Sequence, residues 1–508
     1  MKLCSNVVSL KRNILANYLG QGWVALMGLA FVPLYIKYLG IEAYGLIGIF
    51  AIMQAWFTLA DMGVTPTLNR EMARFTAGAH TSQSIRDLVR SLEVLCFGLV
   101  VTAALLVWGA SSWLATDWLQ AKRLHTSEVA GAIALMGLVA SLRMAEGLYR
   151  GAILGLQRQV WLNVVGAAFA TLRWAGAVLV LVWVSPNIEA FFLWQGAVSV
   201  VTLIVFASAV HRALPDSDRP PRFSRLALAG VGRFAGGMMA TTVLALLLTQ
   251  VDKIILSRLI SLEAFGYYTL AATVASVLYQ LIGPITQAFY PRFTELATQG
   301  DTQGLITAYH RGAQLVSILV IPAALVLILY GENLLVLWTG NDVLARNVAP
   351  LLALLALGTS LNGMMHIPYM LQLAHGWSGF AARVNIVAVA LLVPAILWVT
   401  PRYGAIGAAW VWVLLNAGYV FVASHFMYRR LLPGEKWHWY GGDMGLPLLS
   451  ALCVAWLSSL WGSLPFGKLG EAIWLGAHGV VMLIAALLVA PLIRNEVARM
   501  FRARQKLT

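Results

Sequence analysis

Four basic side chains, Arg90, Arg143, Arg173 and Arg233, fall inside stretches that are otherwise almost wholly apolar. A charge at the centre of a bilayer costs about 2.5–3.5 kcal/mol on insertion scales, so such residues face a cavity or a partner. Arg173 is the deepest. It lies 12 residues beyond Trp161, where its apolar run begins, or about 18 Å along a helix, near the midplane. A guanidinium there can grip a phosphate through two parallel N–H bonds; a salt bridge to a neighbouring helix is the alternative. Arg143, Glu146 and Arg150 stand at i, i+3 and i+7 and share a helix face. Arg90 and Glu93 form a similar pair, and Arg233 lies about two turns into its own run. Together these side chains can line a cationic entrance, or they can snorkel to the interface and pair within their own helices.

Among the acids, Asp61 in "LADMGVTP" sits between apolar residues. It fits either a proton-coupling site or a fixed counter-ion for Arg143 or Arg173. Asp252, followed by Lys253, ends its run where an interfacial role is expected, and His366, two residues before Pro368, reads as a core histidine before a cavity-lining one. Catalytic motifs fail on inspection. "GSLPFGKL" (462–469) has the spacing of a phosphate loop but carries Leu469 in place of the hydroxyl that holds Mg²⁺, and "GVGRFAG" (230–236) lacks a strand-turn-helix setting. The three cysteines form no C-x-x-C pair and no H-E-x-x-H is present. The chain is read as no enzyme, with no cofactor and no metal.

The elements that must carry these residues follow from composition. Of 508 residues, 60% are hydrophobic and 11% charged, against about a quarter charged in soluble chains; mean hydropathy is +0.78. Runs of about 20 apolar residues, enough for a hydrocarbon core of roughly 30 Å, recur from residue 14 almost to the end. Spanning helices are expected near 14–36, 44–66, 88–112, 128–149, 161–184, 189–210, 226–251, 266–290, 308–330, 348–374, 380–400, 404–428, 445–463 and 470–493, an all-α polytopic membrane protein with fourteen transmembrane helices. Cytoplasmic loops are enriched in Lys and Arg. With the N-terminus inside, the 35 basic residues divide into 23 in inner segments, 8 in outer loops and the four within spans. Both termini are therefore expected in the cytoplasm, and topology accounts for much of the +14 net charge without nucleic acid.

A tetrapeptide repeats: "GIEAYG" (40–45) and "SLEAFG" (261–266) share Glu-Ala-aromatic-Gly at an offset of 221. Further echoes keep nearly that offset, "NVV" (163–165) with "NIV" (385–387) and Tyr149 with Tyr369. Two parallel six-helix bundles are expected, 1–210 and 226–428, related by a pseudo-two-fold along the membrane normal. A Pro-rich cytoplasmic linker, 211–225, joins them, and 429–508 adds helices 13 and 14 with a basic tail. Each tetrapeptide is expected at an outer turn, its Gly supplying a permissive backbone and its aromatic ring an interfacial anchor.

"NYLG" (17–20), Pro33, "YLGIEAYG" (38–45), "LADMG" (59–63), "GLQR" (155–158) and "TQVDKIILSRL" (249–259) resemble the Wzx-type polysaccharide flippases of the multidrug/oligosaccharidyl-lipid/polysaccharide exporter superfamily. The resemblance implies a bacterial inner-membrane protein of surface polysaccharide (O-antigen) biosynthesis. Such a protein moves an undecaprenyl-pyrophosphate-linked oligosaccharide to the outer leaflet by alternating access, with proton or cation coupling and polysaccharide assembly proteins as partners. Arg173, Arg143, Arg150, Arg233 and Arg90 would then line the substrate pathway, and Asp61, Glu146 and Asp252 would serve coupling or as counter-ions. The alternative is an organic-cation antiporter of the same superfamily, whose cavity should be acidic. A polysaccharide polymerase or ligase is opposed by outer loops of no more than about twenty residues, too short to hold acceptor sugars.

Overall fold

The computed structural model describes residues 17–505, apart from positions 18, 62, 77, 217, 218, 226, 227, 229–242, 244, 245, 248 and 461–466. Arg233 and most of the run 226–251 lie outside the described residues. Among those described the chain is helical, with one isolated bridge between Gln120 and Ser261. It divides into two compact units, Met1–Gly266 and Tyr267–Thr508.

The first unit contains α1 (Leu19–Ala30), α2 (Val32–Ala60), α3 (Val64–Thr76), α4 (Ser82–Trp113), α5 (Thr126–Gly155), α6 (Gln159–Trp183) and α7 (Ile188–Ala213). Gly40, at φ 81°, interrupts the helical backbone inside α2, between Leu39 and Ile41. Another glycine in the left-handed region, Gly63 at φ 73°, follows the end of α2. The second expected helix, drawn to residue 66, therefore stops at Ala60, and a separate amphipathic α3 follows. Helix α5 is the hub, packing on α2, α3, α4 and α7 around a core of Leu68, Leu88, Leu148, Ile153 and Val210. The Pro-rich 211–225 segment lies along the start of α4: the Arg86 guanidinium donates to the Pro215 carbonyl at 2.7 Å, and the Arg222 N–H to Asp87 at 2.8 Å.

Helix α8 (Leu262–Ala275) crosses the unit boundary, and the second unit continues with α9 (Val277–Gln299), α10 (Thr302–Leu329), α11 (Gly331–Thr339), α12 (Asp342–Met364), α13 (His366–Ala374), α14 (Ser378–Gly418), α15 (Ser424–Leu431), α16 (Leu446–Ser459), α17 (Lys468–Val489) and α18 (Pro491–Gln505). Here α10 is central, packing on α9, α12, α16 and α17 around Phe293, Tyr309, Val316, Ile367, Met427 and Trp439.

Eleven described helices are long and apolar enough to cross a membrane. One of them, Ser378–Leu431, has 54 residues, about 81 Å at helical rise and far more than a bilayer needs. Gly404, at φ 60°, folds it back. How deeply helices are buried separates inner from outer positions. Of the most apolar window of Thr302–Leu329, 61% is buried, against 11% for Ser82–Trp118, whose Phe97, Leu106 and Trp108 stand exposed. Apolar surface of that extent is stable only against lipid or another apolar partner.

The repeated tetrapeptides do different work from that expected. Gly40 makes the turn, not Gly45, and Tyr44 and Phe265 are buried, not interfacial. Gly45 and Gly266 serve close approach instead: a Cβ on Gly45 would collide with the Leu262 carbonyl, and one on Gly266 with the Ile41 carbonyl. Glu42 is buried as well, its two oxygens accepting the backbone N–H groups of Lys122 at 2.5 Å and Arg123 at 2.9 Å.

Candidate functional site

Within the first unit, α5, α6 and α7 bring together residues far apart in sequence. Arg173 on α6 donates from Nη2 to Glu146 on α5, at 3.2 and 3.4 Å, and to the Ser199 hydroxyl on α7 at 3.3 Å. The pair is enclosed, with side chains only 13% and 12% exposed. Gln195, one turn from Ser199 on α7, accepts from Arg143 Nη2 at 2.7 Å and donates to the Arg173 carbonyl at 3.3 Å. The Arg143 guanidinium lies 5.0 Å from the centre of the Phe50 ring on α2, a cation–π contact. Two guanidiniums are thus held in one polar knot with a single carboxylate.

Both retain unused donors. The buried Nε of Arg143 and that of Arg173 have no hydrogen-bond partner among the described residues. Buried N–H groups are ordinarily satisfied, and a guanidinium offers five of them in a planar fork. An anion entering beside Arg143 and Arg173 would complete the set. A cavity of about 450 Å³ adjoins the knot, lined by Arg143, Asp61, Gln54, Thr58, Phe57 and Thr65 among others.

The remaining sequence candidates are distributed as follows. Asp61 accepts from the Thr65 N–H at 3.0 Å and from its hydroxyl at 3.1 Å, so it caps the start of α3 while facing the cavity. Arg90 is exposed and lies 3.5 Å from Glu93. Glu93 in turn accepts from the Tyr149 hydroxyl and lies against His211, each at 2.8 Å. Arg150 is exposed five residues before the end of α5, and Asp252 is half-buried on the helical stretch 251–259. His366 turns its Nδ1 to the Asn362 carbonyl at 3.1 Å, as a core histidine does.

Sequence reasoning did not single out Gln195 and Ser199, although a glutamine inside a run of apolar residues was a signal. It also passed over the second unit's own clamp, where Asn362 donates to Asn416 at 2.8 Å and accepts from Tyr279 at 3.2 Å. These positions stand 219 and 221 residues beyond Arg143 and Gln195. The same kind of helix–helix clamp is charged in the first unit and neutral in the second. Elsewhere in the second unit, His310 lies between Asp443, 2.5 Å from Nδ1, and Glu435, 3.0 Å from Nε2, while His438 stacks on its ring and Gln314 donates to Asp443. The members of this cluster are spread from 310 to 443, so no local motif announces them. The cluster ties α10 to the start of the Lys436–Ser459 span, which begins nine residues before the position expected.

Comparison with known proteins follows the same lines. The family described as "Polysaccharide biosynthesis protein" matches residues 10–297. A putative O-antigen transporter of Shigella flexneri is 21% identical over 429 residues, covering 84% of this chain and 99% of the relative. The lipopolysaccharide biosynthesis protein WzxC of Escherichia coli (strain K12) is 25% identical over 290 residues, 56% of this chain and 58% of the relative. Among solved structures, the lipid II flippase MurJ in an inward closed conformation superposes with a TM-score of 0.70 at 11% identity, covering 96% of this chain and 99% of its own. An inward-facing multidrug resistance transporter of the MATE family gives 0.64 at 14% identity, covering 80% and 94%.

Proposed function

Because the chain belongs to the polysaccharide biosynthesis protein family, we propose that it is a flippase carrying an undecaprenyl-pyrophosphate-linked oligosaccharide from the cytoplasmic to the outer leaflet by alternating access. The observation that carries the reading is the Arg143–Arg173 knot, two guanidiniums each with an unused buried donor, of which Arg143 lines a cavity. Guanidinium donors bind best to negatively charged acceptors such as phosphate. The organic-cation alternative needs free carboxylates, and here Glu146 is engaged by Arg173 and Asp61 by Thr65.

A fourteen-helix chain of two parallel copies remains our reading of the architecture. The bend at Gly404 turns one long helix into two spans, α1 with residues 32–39 makes a further one, and the run 226–251 completes the count. Support for the duplication comes from the tetrapeptides. Ile41 meets Gly266 and Leu262 meets Gly45, and an offset of 221 converts each contact into the other. A two-fold operation exchanging the copies would generate that reciprocity.

The test is to delete the gene and identify the lipid-linked sugar in the membrane. Loss of surface polysaccharide with accumulation of a lipid-linked intermediate in the inner leaflet is expected, reversed on re-expression. Loss of polymer without any accumulated intermediate would refute the assignment.

A further inference from the structure

Helix α14, bent at Gly404, runs out and back, so its start at Ser378 and the end of α15 at Leu431 lie together. Between the two arms is a cavity of about 890 Å³. Its walls are apolar and open: Val387 and Leu391 on one arm are 57% and 65% exposed, Val422 and Phe426 on the other 58% and 50%. At one end the lining changes to Arg383, Arg429 and Arg430. Arg383 donates to the Gly379 carbonyl at 3.1 Å and Arg430 lies 4.3 Å from the centre of the Trp377 ring. None of the three makes an ion pair with a carboxylate among the described residues.

The dimensions select an occupant. From Phe380 to Leu391 the groove follows 11 residues of helix, about 16 Å, against about 15 Å for half a hydrocarbon core. That is the depth of one leaflet. We propose that this groove is a binding site for an anionic glycerophospholipid, one acyl chain lying along Val387, Leu391, Val422 and Phe426 and the phosphate held by Arg383, Arg429 and Arg430. A guanidinium cluster at the interface between transmembrane helices suits a phosphate headgroup. A zwitterionic headgroup would bring its ammonium against the same guanidiniums, and a polyprenyl chain is too long for a groove of one leaflet's depth. The site belongs to the second unit alone and does not depend on the identity of the cargo.

Native mass spectrometry of the purified full chain in detergent, titrated separately with phosphatidylglycerol, phosphatidylethanolamine and undecaprenyl phosphate, tests this. Phosphatidylglycerol should bind at least about tenfold more tightly than phosphatidylethanolamine. Changing Arg383, Arg429 and Arg430 together to Gln should remove that preference, and changing them to Lys should keep most of it. Leu391→Trp, which fills the groove and leaves the charges in place, should weaken phosphatidylglycerol binding by itself, so the proposal stays testable even where the triple Gln variant folds poorly. Unchanged phosphatidylglycerol affinity in the triple Gln and Leu391→Trp variants would overturn the site. Displacement of phosphatidylglycerol from it by a lower concentration of undecaprenyl phosphate would overturn the choice of occupant.

Discussion

At the scale of single residues, the question is whether Arg173 holds the protein together or holds cargo, and its geometry allows the two to be separated. Its Nη2 is committed to Glu146 and Ser199 while its Nε is buried without a partner. Removing one member of a buried pair costs about 3–5 kcal/mol because a charge is left uncompensated. Arg173→Glu, which sets two carboxylates face to face, should therefore abolish surface polysaccharide and lower the melting temperature in detergent. The exchange Arg173→Glu with Glu146→Arg restores opposite charges. If the pair only fastened α5 to α6, the exchange would recover both stability and polymer; a substrate role predicts recovered melting temperature with polymer still below about a tenth of wild type. That Arg173 stands well inside a long helix was legible from the apolar run around it, but its partner was not. Glu146 was grouped with Arg143 and Arg150 by spacing, and only the rotation of α5 against α6 decides which neighbour it meets. A second residue lies outside the spans. Glu71 on α3 is buried, which raises its carboxyl pKa, but His80 at 2.8 Å and Arg74 at 3.0 Å outweigh this and hold it below the usual range. A lowered carboxylate pKa stabilises the fold above the unfolded-state value, and that contribution is lost as pH falls through the folded-state value. The melting-temperature difference between wild type and Glu71→Gln should thus be largest near neutral pH and shrink as pH falls through the acid range, which differential scanning fluorimetry can follow.

Among the elements, the junction of residues 41–45 with 262–266 is the one most exposed to a small change. At Gly45 and Gly266 the obstacle to a side chain is a backbone carbonyl, which cannot rotate away. Gly45→Val and Gly266→Val should each destabilise by at least the 1–3 kcal/mol typical of overpacking. Gly22→Ala on α1 meets nothing within 4 Å and should be neutral or stabilising by up to about 1 kcal/mol. Equal melting temperatures for Gly45→Val and Gly22→Ala would remove the close approach from the account. The existence of these elements was legible, since long apolar runs declare helices, and the offset of 221 declared a relation between the two motifs. Their mechanics were not. An aromatic beside a turn reads equally as an interfacial anchor or as a core residue, and the approach of Gly45 to Leu262 and of Gly266 to Ile41, which joins the two motifs, lies in no local window. The end of α2 was misplaced for a related reason: "LADMGVTP" is apolar enough to continue a span, and the break depends on Gly63 adopting a positive φ and on Asp61 turning back to cap α3.

For the whole molecule, the sidedness rests on charge. A division of 23 basic residues to 8 is sensitive to helix count, because one added or missing span inverts every later loop and would mix the two sets. The described helices bear on this at Gly40 and Gly404, where the helical backbone is interrupted within a longer run. Cysteine accessibility can test the result directly. The reporters belong at Ser217 in the Pro-rich segment and at Pro186 between α6 and α7. Asn187 is the poorer choice at the second site, since its side chain accepts from the Ala190 N–H at 2.7 Å and caps α7, a contact whose loss costs about 1 kcal/mol. Native cysteines must first be replaced, Cys453 above all because it is exposed. With N- and C-termini in the cytoplasm, a membrane-impermeant maleimide added to intact cells should label Pro186→Cys and spare Ser217→Cys, and inside-out vesicles should reverse the pattern. Labelling of both positions from one side would mean an even number of crossings between them, and since only α7 lies there, the single-span assignment of α7 and every orientation built on it would have to be abandoned.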